Sequence, residues 1–349
     1  MLTTAHPLAV LFGDSFKAQS GKCVSCNRCK TFCAAFPRLY KIFEEAQENR
    51  SPSDEDLREA LGLCSLCGQC ELRCPASLDL AKHIMKAKIR YAESGLTRKD
   101  RLMTRVDAIG RWGSRLAPVS NFLVNNPLVR RLAGSLTGID PRRKLPEFAR
   151  PTFHEWAGTR RGGASGSSGA PKGKVVYFAG CTANYFDPAI GRSAVAVMER
   201  QGMEVVVPPH NCCGLPSIGI GDEKTARSLH EANLARLLPY VGEGCKIVCA
   251  DCNCVHMMRN NAPLLWPTPE TRRVAENVTD IASFLRELAA QGRFNSGLGP
   301  VSGGIRYHYA CHAKTLRIGN DTIDLLRLIP GLKIDYLDTF CCGMGGAFG

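Results

Sequence analysis

Over the first 140 residues apolar positions recur at helical spacing, and beyond residue 174 they gather into short unbroken runs. Phe36, Leu39, Tyr40 and Phe43 step by three and four, with Glu44, Glu45 and Glu48 on the polar side, which predicts a helix. Ser53, with Asp56 three residues on, marks the start of a second helix that buries Leu57, Ala60 and Leu61. A third is expected with Leu80, Ile84 and Ile89 inward and Lys82, Lys86 and Lys88 outward. Leu102, Val106, Ile109, Trp112 and Leu116 continue the period, while Arg101, Arg111 and Arg115 lie mostly off that stripe. A further stretch, Phe122 to Ile139, carries Leu128, Leu132 and Leu136 beside Arg130 and Arg131.

In the second half, Val175 to Phe178, Val205 to Val207, Ile247 to Val248 and Arg306 to Tyr309 read as strands. Arg192–Gln201, Glu223–Leu238 and Val278–Leu288 read as helices between them, an alternation that argues for an α/β layer fold. Between the halves, residues 158–173 (GTRRGGASGSSGAPKG) have the composition of a flexible linker. The chain is therefore expected to be multidomain, with a helical domain over 1–95, basic amphipathic helices over 96–157 and the linker over 158–173.

The chemistry lies in the cysteines, eighteen in all. Eight form two copies of one pattern: Cys23, Cys26, Cys29 and Cys33, then Cys64, Cys67, Cys70 and Cys74 followed by Pro75. Four thiolates in this spacing wrap a cubane [4Fe–4S] cluster, the fourth cysteine of each run reaching the other run's cluster. By that rule cluster I takes Cys23, Cys26, Cys29 and Cys74, and cluster II takes Cys64, Cys67, Cys70 and Cys33. Structural zinc sites pair two short motifs across a longer segment instead. The helical periods between the runs predict an α-helical ferredoxin with two [4Fe–4S] clusters rather than a small β-rich one.

Composition narrows the setting. With 44% hydrophobic and 22% charged residues the chain is an ordinary globular protein. It has no run of eighteen apolar residues, and Met1 to Phe12 lacks the basic and small-residue features of a signal peptide, so a cytoplasmic protein with reduced thiols is expected. The net charge of +13 is concentrated between Arg98 and Arg161, where fourteen Lys and Arg face five Asp and Glu. No nucleic-acid-binding signature accompanies this excess, so nucleic acid is not an expected partner. A basic amphipathic helix with Trp on its apolar side suits a membrane interface; the same stripe also suits packing on its own protein.

Residues 174–349 contain a duplication. Cys181 ends one strand and the chain then reaches Cys212-Cys213-Gly214; Cys311 ends another and the chain reaches Cys341-Cys342-Gly343. The offsets are 130 and 129 residues, which sets a first cysteine-rich copy at 174–300 and a second at 301–349. Glycine after the paired cysteines lets backbone approach a bulky inorganic ligand. Cys249, Cys252 and Cys254 close the first copy, so thiolates at strand ends converge on one site.

Here the sequence resembles the iron–sulfur subunit family of anaerobic glycerol-3-phosphate dehydrogenase, within the group that shares heterodisulfide-reductase cysteine-rich (CCG) domains. The resemblance rests on both cluster motifs, Asp140-Pro141-Arg142-Arg143-Lys144-Leu145-Pro146, Phe178-Ala179-Gly180-Cys181-Thr182-Ala183-Asn184-Tyr185, Tyr307-His308-Tyr309-Ala310-Cys311-His312 and Ile329-Pro330-Gly331-Leu332. It covers almost the whole chain, and glycolate and lactate oxidase subunits share its plan. It implies a non-catalytic subunit that takes electrons from a flavin-containing dehydrogenase subunit towards membrane quinone, peripheral on the cytoplasmic face of the inner membrane. It also implies a metal at the first CCG site, a non-cubane [4Fe–4S] cluster among the candidates, with Cys249, Cys252 and Cys254 left as alternatives for the last ligand. Against the group's full motif the second copy (Cys311, Cys341, Cys342) lacks its closing cysteines, an incomplete site expected of a truncated chain. The alternative function is a thiol–disulfide reductase with the CCG half as catalytic site.

Weaker signals add little. Gly343, Gly345 and Gly349 mimic a dinucleotide fingerprint with the wrong spacing, so no flavin or NAD site is expected. His210 and His256 lie near cysteines as further candidate metal contacts, and His312 beside Cys311 suits a hydrogen bond to a cluster or proton transfer to a thiol. Cys245 reads as an ordinary thiol on a polar loop. No catalytic residue is assigned.

Overall fold

The computed structural model describes residues 22–48, 50, 52–137, 139–160, 171–337, 342, 343 and 345. The Phe43 and Leu136 side chains, most of the 158–173 linker, the segment Met1 to Phe12, Cys341 and Gly349 lie outside what it describes.

The first part is helical: α1 (Arg28–Phe32), α2 (Ala35–Gln47), α3 (Asp54–Gly62), α4 (Gln69–Leu72) and α5 (Leu80–Glu93). Ser53 caps α3 as expected, its hydroxyl accepting the Asp56 N–H at 3.1 Å. One residue of α5 departs from expectation: Lys88 points inward, not outward, and is 4% exposed.

The basic stretch forms four short helices rather than two long ones: α6 (Arg98–Thr104), α7 (Val106–Arg115), α8 (Ala117–Asn125) and α9 (Pro127–Thr137). Proline sets two of the breaks. Pro118 sits in the first turn of α8, and Asn126 before Pro127 is extended, with its side chain accepting the Leu128 N–H at 2.9 Å. The stripe does not pack inward throughout: Trp112 is 60% exposed, and Phe122, Leu128 and Leu132 are 67, 69 and 68% exposed. Helix α10 (Phe153–Thr159) follows, begun by a Thr152–Glu155 capping box.

The second part runs β1 (Gly173–Phe178), a π-helical turn, α11 (Pro188–Arg200), β2 (Met203–Val206), α12 (Leu215–Ile220), α13 (Glu223–Gly242) and β3 (Lys246–Cys249). It continues through α14 (Cys252–His256), a second π-helical turn, α15 (Ala262–Leu265), α16 (Pro269–Asn277), β4 (Val278–Asp280) and α17 (Ile281–Ala290). The stretch Val278–Leu288, expected as one helix, therefore opens with a strand. Asp280 ends it and caps α17, accepting the Ala282 and Ser283 N–H groups at 2.9 and 3.1 Å. The last elements are β5 (Gly303–His308), α18 (Cys311–Leu316), α19 (Gly319–Leu326) and β6 (Leu332–Leu337).

Strands β2-β1-β3-β4 form one parallel sheet and β5-β6 a second parallel pair. The duplication is visible in the pairing. Gly173 faces Met203 in the first copy and Gly303 faces Leu332 in the second, the same 130 and 129 offsets as the cysteines. Side chains alternate across β1: Val175 and Tyr177 pack with Phe153, Met198 and Phe284, while Val176 and Phe178 pack on the other face. That second face shares one continuous core with Leu39, Leu57, Leu61, Ile84 and Met85 of the helical part. The compositional break at the linker is thus not a break in packing.

Candidate metal centres

The two four-cysteine runs fold alike. Ser25 and Asn27 in the first, and Leu66 and Gly68 in the second, occupy equivalent positions and all take positive φ, at 52°, 57°, 54° and 69°. Left-handed residues at alternate positions turn backbone N–H groups inward, the nest that suits anionic Fe–S sites. Cys33, Cys64, Cys67 and Cys70 line one cavity of about 160 Å³ with Phe32, Phe36 and Leu66. Burial and the neighbouring thiols raise the Cys70 pKa. The sequence grouping of Cys33 with the second run is thus a grouping in space.

The first run is more open. Cys23 and Cys26 are exposed and Cys29 is half-buried, and the Tyr40 hydroxyl lies 3.9 and 3.8 Å from the Cys23 and Cys29 sulfurs. Burial raises the Cys29 thiol. Cys74 is half-buried, and the Arg73 guanidinium stacks over Phe32 of α1 at 5.5 Å, which keeps that segment beside the first run.

At the first CCG copy, Cys181 and Cys213 are hydrogen-bonded to Cys212, and Cys213 also to Cys254. These bonds hold the Cys212 thiol well below its ordinary pKa and push Cys181 and Cys213 up. Cys254 is lowered by its bond to Cys213, but burial and Asp251 leave it raised overall. Of the three alternative closing cysteines, Cys254 is the one in direct thiol contact with the group. Cys249 is fully buried at the end of β3, where burial raises it. Cys252 accepts from the Ala313 N–H of the second copy, and burial pushes it up to about 12.

Backbone and second-layer groups hold this cluster of thiols in place. Gly214 takes φ of 90° and its N–H points to the Cys212 sulfur at 3.5 Å. Gly343, its counterpart in the second copy, takes 71°. Asn233 of α13 grips the loop, donating to the Cys212 carbonyl at 3.0 Å and accepting the Asn211 N–H at 2.9 Å.

Sequence reasoning missed Asp107. It opens α7 in the basic stretch, yet accepts the Cys212 N–H at 2.7 Å and the Tyr185 hydroxyl at 3.2 Å. Burial raises its pKa, as does the Cys212 thiol beside it. Gly110 permits this approach, since a β-carbon there would overlap the Tyr185 ring. The available signal was charge: Asp107 is the sole acid between Asp100 and Asp140.

The histidines serve as struts. His210 stacks on Phe178 at 4.1 Å, with ring nitrogens 2.8 and 3.0 Å from the Pro208 and Ala179 carbonyl oxygens. His256 stacks on His312 at 4.3 Å. His312 is bonded to Asn253, between Cys252 and Cys254, at 2.6 Å and to the Leu66 carbonyl at 3.1 Å. One ring thus touches both the second cysteine loop and the helix that carries Cys254.

The second CCG copy lies against the same loop. Gln69 donates to the Cys311 carbonyl at 3.4 Å, and Gly343 lines the Cys33–Cys70 cavity. Cys342 is exposed, and Cys341 falls outside the described residues. Cys245, expected on a polar loop, is buried beside β3.

Among the described residues no three Cys, His, Asp or Glu side chains already stand in metal-ion geometry. The donor chemistry nevertheless fits an iron–sulfur group. Four thiols bonded in a chain, three of them buried and Cys181 partly so, with Asp107 and Asp251 beside them gather potential negative charge, which an inorganic cation core neutralises. In the N-terminal half, the repeated nests and the thiol-lined cavity supply thiolates and N–H donors together.

These features define a cysteine-rich redox protein. Residues 175–259 match the family model of the CCG cysteine-rich domain. The chain is similar to a subunit of the anaerobic glycerol-3-phosphate dehydrogenase of Escherichia coli strain K12, at 26% identity across 94% of this chain and 83% of that protein. It is similar to a lactate utilization protein of Halalkalibacterium halodurans (27%, covering 50% of this chain and 72% of the relative). It is also similar to a subunit of the dihydromethanophenazine:CoB–CoM heterodisulfide reductase of Methanosarcina barkeri (23%, 85% and 65%). No solved structure matches.

Proposed function

We propose that the chain is an iron–sulfur electron-transfer subunit of a dehydrogenase complex, carrying electrons from a flavin partner through two cubane clusters towards quinone. The observation that carries this reading is the pair of cysteine loops with matching left-handed positions, one of which lines a single cavity with Cys33. His312 and Asn253 join that loop to the helix bearing Cys254, a short covalent and hydrogen-bonded route onwards. The clusters supply the one-electron chemistry; the chain's residues position them and exclude water. Names of relatives suggest glycerol-3-phosphate or lactate as the donor enzyme's substrate. The exposed apolar residues of α7–α9, rimmed by arginine, suit an anionic membrane surface, and no helix among the described residues is long and apolar enough to cross one.

Anaerobic purification with iron and sulfide analysis and electron paramagnetic resonance tests this. About eight irons per chain would place clusters at the N-terminal pair alone, and about twelve would add one at the first CCG site. Fewer than about four, or stoichiometric zinc, would refute it. One observation favours the second reading, a thiol–disulfide reductase: the Cys212 thiol is held low by two neighbouring thiols. Its near-complete burial, shared with Cys213, weighs against substrate access.

A further inference from the structure

Among the described residues one lysine is buried, and the electron-transfer reading leaves it unused. Lys88 of α5 donates to the Cys64 carbonyl at 2.6 Å and to the Gly219 carbonyl at 2.7 Å. Cys64 opens the second cysteine run, and Gly219 lies in α12, directly after the Cys212-Cys213-Gly214 loop. Gly221 beyond it takes φ of 97°, and a β-carbon there would overlap the Lys88 carbonyl, so the two backbones meet at this seam. Asp100, which lines the small cavity over Lys88, is engaged in the Thr97 capping box. Among the described residues Lys88 makes no ion pair.

Burial lowers the Lys88 pKa and negative charge on Cys64 raises it, so the ammonium held by two carbonyl dipoles is costly and its natural complement is a negative charge close by. A cubane cluster held by four thiolates is net anionic in both oxidation states and more so when reduced. We propose that Lys88 is a fixed positive charge that raises the reduction potential of the cluster held by Cys33, Cys64, Cys67 and Cys70, drawing electrons to the site beside the cysteine-rich half. This rests on the cluster reading above. One electron enters from the flavin donor and one ferric iron becomes ferrous; Lys88 keeps its proton and no bond changes. The direction follows from Coulomb's law, since the nearby cation stabilises the more negative, reduced state more strongly.

The test is a redox titration of the full chain, followed by electron paramagnetic resonance, on wild type, Lys88→Met, Lys88→Gln and Lys88→Arg, with iron counted on the same samples. Methionine keeps the bulk, glutamine keeps a donor without charge, and arginine keeps the charge. In the two neutral variants one cluster's reduction equilibrium should fall about tenfold or more, 59 mV for a one-electron couple, with the other cluster unmoved and arginine near wild type. Selective loss of one cluster in both neutral variants, with retention in Lys88→Arg, would also support the charge. Fully loaded neutral variants with unmoved potentials would overturn the proposal alone, as would loss of the cluster in all three. Wild type without iron would overturn the cluster reading and this proposal together.

Discussion

At the scale of single residues, the chain spends its buried polar groups where the cysteines converge. Asp107 holds the Cys212 N–H and the Tyr185 hydroxyl at once. Removing it leaves two buried donors unmet, so Asp107→Ala should lower stability by about 1–3 kcal/mol in urea melts; an unchanged midpoint would show the bonds to be incidental. Buried histidines make stability depend on pH. His230, stacked on Trp266 and bonded to Thr271, is held down to about 4 by burial, and burial brings His154 and His256 to about 3. The unfolded chain takes up these protons near pH ~6.5, the folded chain only well below it. Stability is therefore full above that value and falls as the pH drops through the window between about 6.5 and 3–4. The slope per histidine is at most about 1.4 kcal/mol per pH unit, less where solvent reaches the ring. Melts of His230→Gln should show a shallower decline than wild type, and parallel declines would remove this histidine from the account.

At the scale of elements, the helix periods were legible and the breaks less so. Ser53 and Asp56 marked α3 from local chemistry alone, because a cap needs no distant partner. Lys88 shows the opposite case. It stands four residues after Ile84, on the same face of α5, so spacing pointed inward while residue type pointed outward; only the carbonyls of Cys64 and Gly219, remote in sequence, reconcile the two. The strand β4 was hidden because three residues cannot establish a period. The short helices α7–α9 leave Trp112 and Phe122 in solvent, so these side chains hold little of the fold together. Trp112→Ser with Phe122→Ser should change unfolding stability by no more than the range of surface changes, about 0.5 kcal/mol, yet reduce sedimentation with vesicles of anionic lipid. Undiminished sedimentation would assign the face to another partner.

At the scale of the whole molecule, the duplication was readable in the cysteine offsets, and the strand register repeats them. What the sequence did not disclose is that the two halves share one core and that His312, stacked on His256 of the first copy, is bonded to Leu66 in the helical half. That follows from contacts more than two hundred residues apart, such as His312 to Leu66, which leave no local pattern. His312→Ala should cost about 1–3 kcal/mol by leaving the Leu66 carbonyl and Asn253 unmet, and should loosen the second copy first, as read by hydrogen exchange across 303–337. Uniform loss across the molecule would show instead that the copy has no separate attachment.

The glycine that lines the Cys33–Cys70 cavity has a bearing on biogenesis. Gly343 belongs to the second copy, so the wall of the N-terminal cavity is finished by residues translated long after its cysteines. If that loop holds the proposed cluster, iron and sulfide should reach it most easily on the nascent chain, before the second copy docks against the cavity. Chains released without iron should then close over an empty cavity and reconstitute slowly, whereas mild denaturant that frees the second copy should speed loading. Equal loading rates with and without denaturant would show that the door was never shut.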